Sequence, residues 1–190
     1  DCSFNNFVSF INILSEQIDD CKTNIEKLKQ TLNSSLPKTI SHGLSVVEQI
    51  AQEFNLTGYY GPIIDIINIK NEMLRTPVEV AASNSLFHIV VDTDITASKL
   101  MQELEKRKAG RLTFLPLNRI NNNEDLKNIE YPKHPDVKSL ISVALDYDIR
   151  FDSAIKHVFG KKLLAKDLDT AAIFSKKFNF DVITIDGDIV

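Results

Sequence analysis

A unit that occurs twice limits this chain more than any other feature. Residues 84–120 read NSLFHIVVDTDITASKLMQELEKRKAGRLTFLPLNRI. Leu86–Val91 is a short apolar, β-branched run that predicts a buried strand. Asp92, Thr93 and Asp94 end it and supply capping oxygens for a helix over Thr96–Lys108. Ala97, Leu100, Met101 and Leu104 share one face of that helix, and charge covers the other. Gly110 is placed as a helix C′ residue, and Arg111–Leu117 reads as a second strand. Residues 162–186, KLLAKDLDTAAIFSKKFNFDVITID, repeat the pattern. Leu163–Ala165 is the first strand, Thr170-Ala171 opens the helix as Thr96-Ala97 does, and Asp181–Ile185 is the second strand.

The preceding segments match in type as well. Thr76–Ala82 and Phe151–Phe159 are short apolar helices, each after a strand-like run, Pro62–Ile69 and Ser139–Leu145. Two copies of strand–helix–strand–helix–strand make a pseudo-symmetric pair and not a solenoid, which needs more repeats. Asn121–Lys138 is polar, carries Pro132 and Pro135, and links the copies.

Ahead of the copies, Phe7, Phe10, Leu14, Ile18, Cys21, Ile25, Leu28 and Leu32 are spaced 3, 4, 4, 3, 4, 3 and 4. That is a heptad seam with one stutter, and it predicts a coiled-coil arm whose partner helix lies outside these residues. Pro37 and Lys38 mark its boundary, after which Leu44–Phe54 reads as an amphipathic helix.

Five blocks carry a family resemblance: GYYGPIIDIINI (58–69), NSLFHIVVDTD (84–94), GRLTFLPLNRI (110–120), RFDSAIKHVFGKKLL (150–164) and VITIDGD (182–188). In this order they resemble the hinge of structural-maintenance-of-chromosomes (SMC) proteins. LFHIVVDTD and IKHVFGKK are most similar to the third SMC subunit, that of cohesin. The resemblance implies a mixed α/β (α+β) hinge of two pseudo-repeated subdomains with small mixed sheets behind a coiled-coil helix. The arm is residues 1–36, the first subdomain 38–120, the linker 121–138 and the second subdomain 139–190. It implies a nuclear, chromosomal dimerisation domain paired with the first-type cohesin SMC hinge, in a ring that entraps DNA for sister-chromatid cohesion. A condensin hinge and a homodimeric prokaryotic hinge fit the same blocks. A small α/β ligand-binding or enzymatic domain is the alternative from another class.

His42, His88, His134 and His157 show no metal-ligand spacing with one another or with Cys2 and Cys21. Gly160-Lys161-Lys162 lacks the second glycine and the Ser or Thr of a phosphate loop. Asp186-Gly187-Asp188 opens like a cation loop but continues as Ile-Val, so a β-turn is expected. These readings predict no enzyme activity, no metal and no cofactor. In the family, ATP belongs to head domains made from distant chain termini. Both cysteines fall in the first helix, too far apart for a disulfide. No run is apolar enough to span a bilayer, and no membrane partner is expected.

Net charge is −4, which argues against a basic coat for duplex DNA. Lys161, Lys162, Lys166, Lys176 and Lys177 nevertheless cluster in the second copy as candidates for weak, salt-sensitive phosphate contact. Stacking aromatics for single strands are not evident among them in the sequence. For dimerisation, Leu112, Phe114, Val182 and Ile183 are the interface candidates, on the strands that end each copy. Three-strand sheets leave open edges that invite strand addition. In the family a glycine-rich segment after DGD adds to the contact. Without it, these residues are expected to be monomeric or weakly self-associating.

Overall fold

The computed structural model describes residues 2–122 and 124–190. Asn123 of the linker and the side chains of Cys2 and Leu32 lie outside the described residues. Helix α1 (Cys2–Ser35) is one continuous helix whose described seam residues, Phe7 through Leu28, are exposed. Pro37 interrupts the chain, and α2 (Lys38–Glu53) follows.

The first copy runs β1 (Tyr59–Pro62), α3 (Ile63–Ile66), β2 (Asn68–Ile69), α4 (Arg75–Ala82), β3 (Ile89–Val91), α5 (Asp94–Lys106), β4 (Phe114–Pro116) and α6 (Leu117–Ile120). A single linker turn, α7 (Glu124–Lys127), leads to the second copy. There the elements are β5 (Val137–Ser139), α8 (Leu140–Ala144), β6 (Leu145–Asp146), α9 (Asp152–Phe159), β7 (Lys162–Ala165), α10 (Leu168–Phe178) and β8 (Asp181–Thr184). The sheets have one topology: β1-β3-β4 and β5-β7-β8, each an antiparallel pair followed by a parallel one. The short strands β2 and β6 pair antiparallel across the copies, Asn68 with Asp146 and Ile69 with Leu145.

The caps repeat too. Thr93 accepts a hydrogen bond from the Thr96 N–H at the start of α5, and Asp167 accepts from the Thr170 N–H at the start of α10. Asn71 accepts from the Met73 N–H, and Asp148 from the Arg150 N–H, each opening a 3₁₀ turn before the short helix. These matches align the copies: β3 with β7, α5 with α10, Phe114 with Val182, and Leu115 with Ile183.

Strand alternation then divides the interior into three cores. Val90, Leu115 and Ile183 turn inward to a central core shared by both copies, with Ile63, Ile155 and Phe159. Ile89 and Val91 turn outward to a core closed by α2 and α5, through Val47, Ile50, Leu100 and Leu104. Leu163, Ala165 and Val182 turn outward to a third core closed by Ala171, with Tyr131, Phe174 and Phe180 at its rim.

The expected strands Pro62–Ile69 and Ser139–Leu145 are both corrected in the same way. Each is a strand end, one helical turn and a two-residue strand. A continuous apolar run reports burial and not period, so it cannot separate a buried turn from a buried strand. Gly110 is not the C′ residue of α5. Lys108 takes the left-handed conformation there, φ +52. The Ala109 N–H bonds the Leu104 carbonyl, and the buried Ala109 packs with Leu104, a Schellman ending. Gly110, φ +95, instead lets the chain pass the Thr39 carbonyl, 3.2 Å from where a Cβ would lie.

Candidate dimer interface

β4 is the terminal strand of the first sheet, and no described strand pairs with its outer edge. The Ile89 N–H donates to the Thr113 carbonyl at 2.8 Å, so by alternation Phe114 directs its own N–H and C=O to the open side. Beside that edge Met101, Lys108, Arg111, Leu112 and Phe114 line a groove of about 490 Å³. Leu112 and Phe114 are half-buried, and Met101 is exposed. Apolar walls flanked by two cations, Lys108 and Arg111, and one acid, Glu105, next to an unpaired strand suit an added strand with apolar and, on balance, acidic side chains.

The fold holds this edge firmly. Asp94, at the start of α5, accepts hydrogen bonds from Asn118 Nδ2 at 2.9 Å and Arg119 Nε at 2.7 Å, both in α6 just after β4. Those donors, Asn118 first, hold the Asp94 carboxyl below its ordinary pKa. The Asn118 N–H also donates to the Asp92 carbonyl.

The corresponding edge in the second copy is occupied. The Val182 N–H donates to the Val190 carbonyl at 3.1 Å, the Val190 N–H returns to Val182 at 2.9 Å, and the Thr184 N–H donates to Asp188 at 2.9 Å. Asp188–Val190 thus lies along β8 as a hairpin arm, and Asp186-Gly187 forms its turn. Gly187 has φ +93, and a Cβ there would lie 2.8 Å from Thr76 Cγ2 on α4, so the turn is seated against the first copy. Val182 and Ile183 are 0 % exposed and belong to the outer and central cores. The expectation of two equivalent open edges is therefore corrected: Asp181–Ile185 does not present its own edge, and Val182, Ile183 and Thr184 are buried, while Asp181 and Ile185 are exposed. The exposed apolar side chains at this end are Ile185, Ile189 and Val190. The Asp-Gly turn signal was in the sequence, but three residues are too few for periodicity to reveal a strand.

The five candidate lysines divide. Lys161, Lys162, Lys176 and Lys177 are placed near the end of the sheet where β7 and β8 begin: the Asp181 N–H donates to the Lys161 carbonyl, and α10 ends at Phe178. Lys162 is ion-paired with Asp181. Lys166 lies past the other end of β7, roughly 15 Å along the strand. Aromatic rings that the sequence pattern did not reveal gather beside Lys176 and Lys177. His134 packs on Phe174 at 5.0 Å, Phe174 stacks on Phe178 at 5.5 Å, and Tyr131 tilts against Phe180 at 5.9 Å.

Among the histidines, His88 is half-buried just before β3, and its Nδ1 has no hydrogen-bond partner among the described residues. Burial, and secondarily the charge of His157 on α9, lowers its pKa. No group of three metal-ligating side chains occurs among the described residues, and no described helix is long and apolar enough to cross a membrane.

Residues 56–175 match the family model described as SMC proteins Flexible Hinge Domain. The chain belongs to the SMC hinge family. Among curated relatives, it is 39% identical over 171 residues to "Urease accessory protein 2" of Cryptococcus neoformans, covering 90% of this chain and 14% of that protein. It is 32% identical over 180 residues to "Structural maintenance of chromosomes protein 3" of Saccharomyces cerevisiae, covering 92% and 14%. The hinge thus spans about one-seventh of the length of these relatives. Among solved structures, "Folded elbow of cohesin" matches 88% of this chain and 24% of that one, with TM-score 0.79 and 33% identity. An asymmetric dimer of the Geobacillus stearothermophilus SMC hinge domain matches 94% and 72%, with TM-score 0.66 and 26% identity. The mixed fold of helices and small sheets is that of SMC hinges.

Proposed function

We propose that this hinge joins a cohesin-type SMC subunit of the third kind to the hinge of a first-type SMC partner. The arms of the two subunits then enclose chromosomal DNA in the nucleus for sister-chromatid cohesion. The observation that carries the reading is the open β4 edge with its apolar groove, in a chain one-third identical to a cohesin structure over most of its length. A strand of the partner adds to β4. Its apolar side chains enter between Met101, Leu112 and Phe114, and its acidic groups meet Lys108 and Arg111. Reciprocally, the hairpin arm with Ile189 and Val190 offers the second copy's face to the partner, so two contacts close one ring. The exposed seam of α1 is the start of one coiled-coil arm. The pairing needs no cofactor. Any DNA contact through Lys161, Lys176 and Lys177 is phosphate-only and falls steeply with salt.

Sedimentation equilibrium of this chain, alone and mixed one to one with a first-type SMC hinge, tests the assignment. A heterodimer in the mixture is expected, with monomer or weak self-association alone. A tight homodimer alone and no heterodimer in the mixture overturns the cohesin reading in favour of a homodimeric hinge.

A further inference from the structure

The aligned caps put helix positions of the two copies in register. Seven and eleven residues after the cap, α5 carries Leu100 and Leu104 where α10 carries Phe174 and Phe178. Leu104 is 2 % exposed, whereas Phe178 is 39 % exposed. Leu100 is fully buried and Phe174 only partly. The cause is a missing layer. The first copy has α2, sixteen residues long, laid over α5, with Val47 and Ile50 fully buried in the shared core. In that place the second copy has, among the described residues, the rings of Tyr131 and His134 from the linker. Ala171 is the sole fully buried residue of α10, and Leu168 and Ile173 are exposed with Phe178.

The charges follow the same pattern. In the first copy the covering helix brings a carboxylate to a base: Glu53, at the end of α2, accepts from both Arg107 nitrogens, Nη1 at 3.2 Å and Nη2 at 2.5 Å, just past α5. Lys99 also lies over the Phe54 ring. In the second copy Lys176 and Lys177 are exposed and take part in no ion pair among the described residues. Lys177 rests over the Phe178 ring, 5.1 Å from its centre.

We propose that the outer face of α10 docks an acidic amphipathic helix of a partner protein, seated on Phe174 and Phe178 as α2 is seated on α5. Apolar side chains of the incoming helix cover the two rings, and its carboxylates pair with Lys176 and Lys177. Base stacking fits this surface less well. The Phe174 and Phe178 rings lie 22° apart and stacked on each other, with His134 against Phe174, so their faces are largely occupied and their edges are presented. The site is separate from the β4 edge, and it stands whether or not the hinge pairs as proposed above.

The probe is a synthetic peptide with the sequence of residues 38–54 and the change Lys38→Glu, which keeps the apolar face that fits α5 and makes the helix acidic. It is titrated into the intact chain by fluorescence anisotropy, with NMR shifts to locate it. Saturable binding is expected, with shifts at His134, Phe174 and Phe178. Affinity should fall about tenfold or more in Phe178→Asp and in the double variant K176E/K177E. Phe178 and both lysines are exposed, so these variants should keep the fold, checked by unchanged far-UV circular dichroism. Absence of saturable binding overturns the proposal, as does binding unaffected by both variants or shifts centred on Leu100. A labelled oligothymidine that binds this face and loses affinity in Phe178→Asp, while the peptide does not bind, assigns the face to single-stranded nucleic acid and overturns it as well.

Discussion

The two copies share strand order, pairing sense and caps, yet they differ in what lies on their outer surfaces. The first copy is closed by a helix on its outer face and left open at its β4 edge. The second is closed at its edge by its own hairpin arm and left open over α10. One fold unit therefore presents two different unsatisfied surfaces, a strand edge and a helix face, on opposite kinds of element. Covering is supplied by the segments that flank each copy, α2 before the first and Asp188–Val190 after the second. The repeat dictates the frame, and the flanks decide which surfaces remain for partners.

The largest test of this contrast is a pair of substitutions at equivalent positions. Leu100→Ala empties a fully buried site under α2 and should cost about 2–5 kcal/mol in urea unfolding. Phe174→Ala removes a larger side chain, but one already half open, and should cost clearly less, about 1–2 kcal/mol. Equal costs would mean that the second outer core is as tightly closed as the first, against the exposure difference.

A smaller effect bears on the seam between the copies, where His88 lies half-buried near His157. Burial, and then His157, depresses the folded-state pKa of His88 below its unfolded value near 6.5. The unfolded chain then binds more protons as pH falls from about 6.5 towards the folded pKa. Stability is fully present above the unfolded value and is lost in that window. The melting temperature should drop modestly between pH 7.5 and 5.5, and His88→Phe should flatten that dependence. A profile unchanged by His88→Phe would remove this histidine from the account.

Much of this frame was legible before the structure. The repeat, the cap at Thr93 and the α5 period all follow from local chemistry that acts within a few residues. In α5, Ala97, Leu100 and Leu104 were assigned to one face and are buried, whereas Met101, assigned to the same face, is exposed at the groove beside β4. The misread stretches share a cause. Pro62–Ile69 and Ser139–Leu145 are apolar throughout, so nothing in their pattern marks the single helical turn that breaks each strand. The edges were less legible still. Phe114 and Val182 are true structural equivalents, as the repeat implied, but which of their strands is open depends on a three-residue arm. Likewise the stacking of His134, Phe174 and Phe178 joins a linker residue to a helix forty positions later, and only tertiary packing brings them together.

The central claim is that β4 is the strand a partner adds to, and amide hydrogen exchange tests it most directly. Exchange is compared for this chain free and in equimolar complex with a first-type SMC hinge. The amide of Phe114, which points to the open edge, should slow by about tenfold or more on complex formation, with Leu112 following, while Ile89, Val91 and the inward-facing Thr113 change little. A complex that forms while the Phe114 amide exchanges as fast as in the free chain contradicts the claim and moves the interface away from β4.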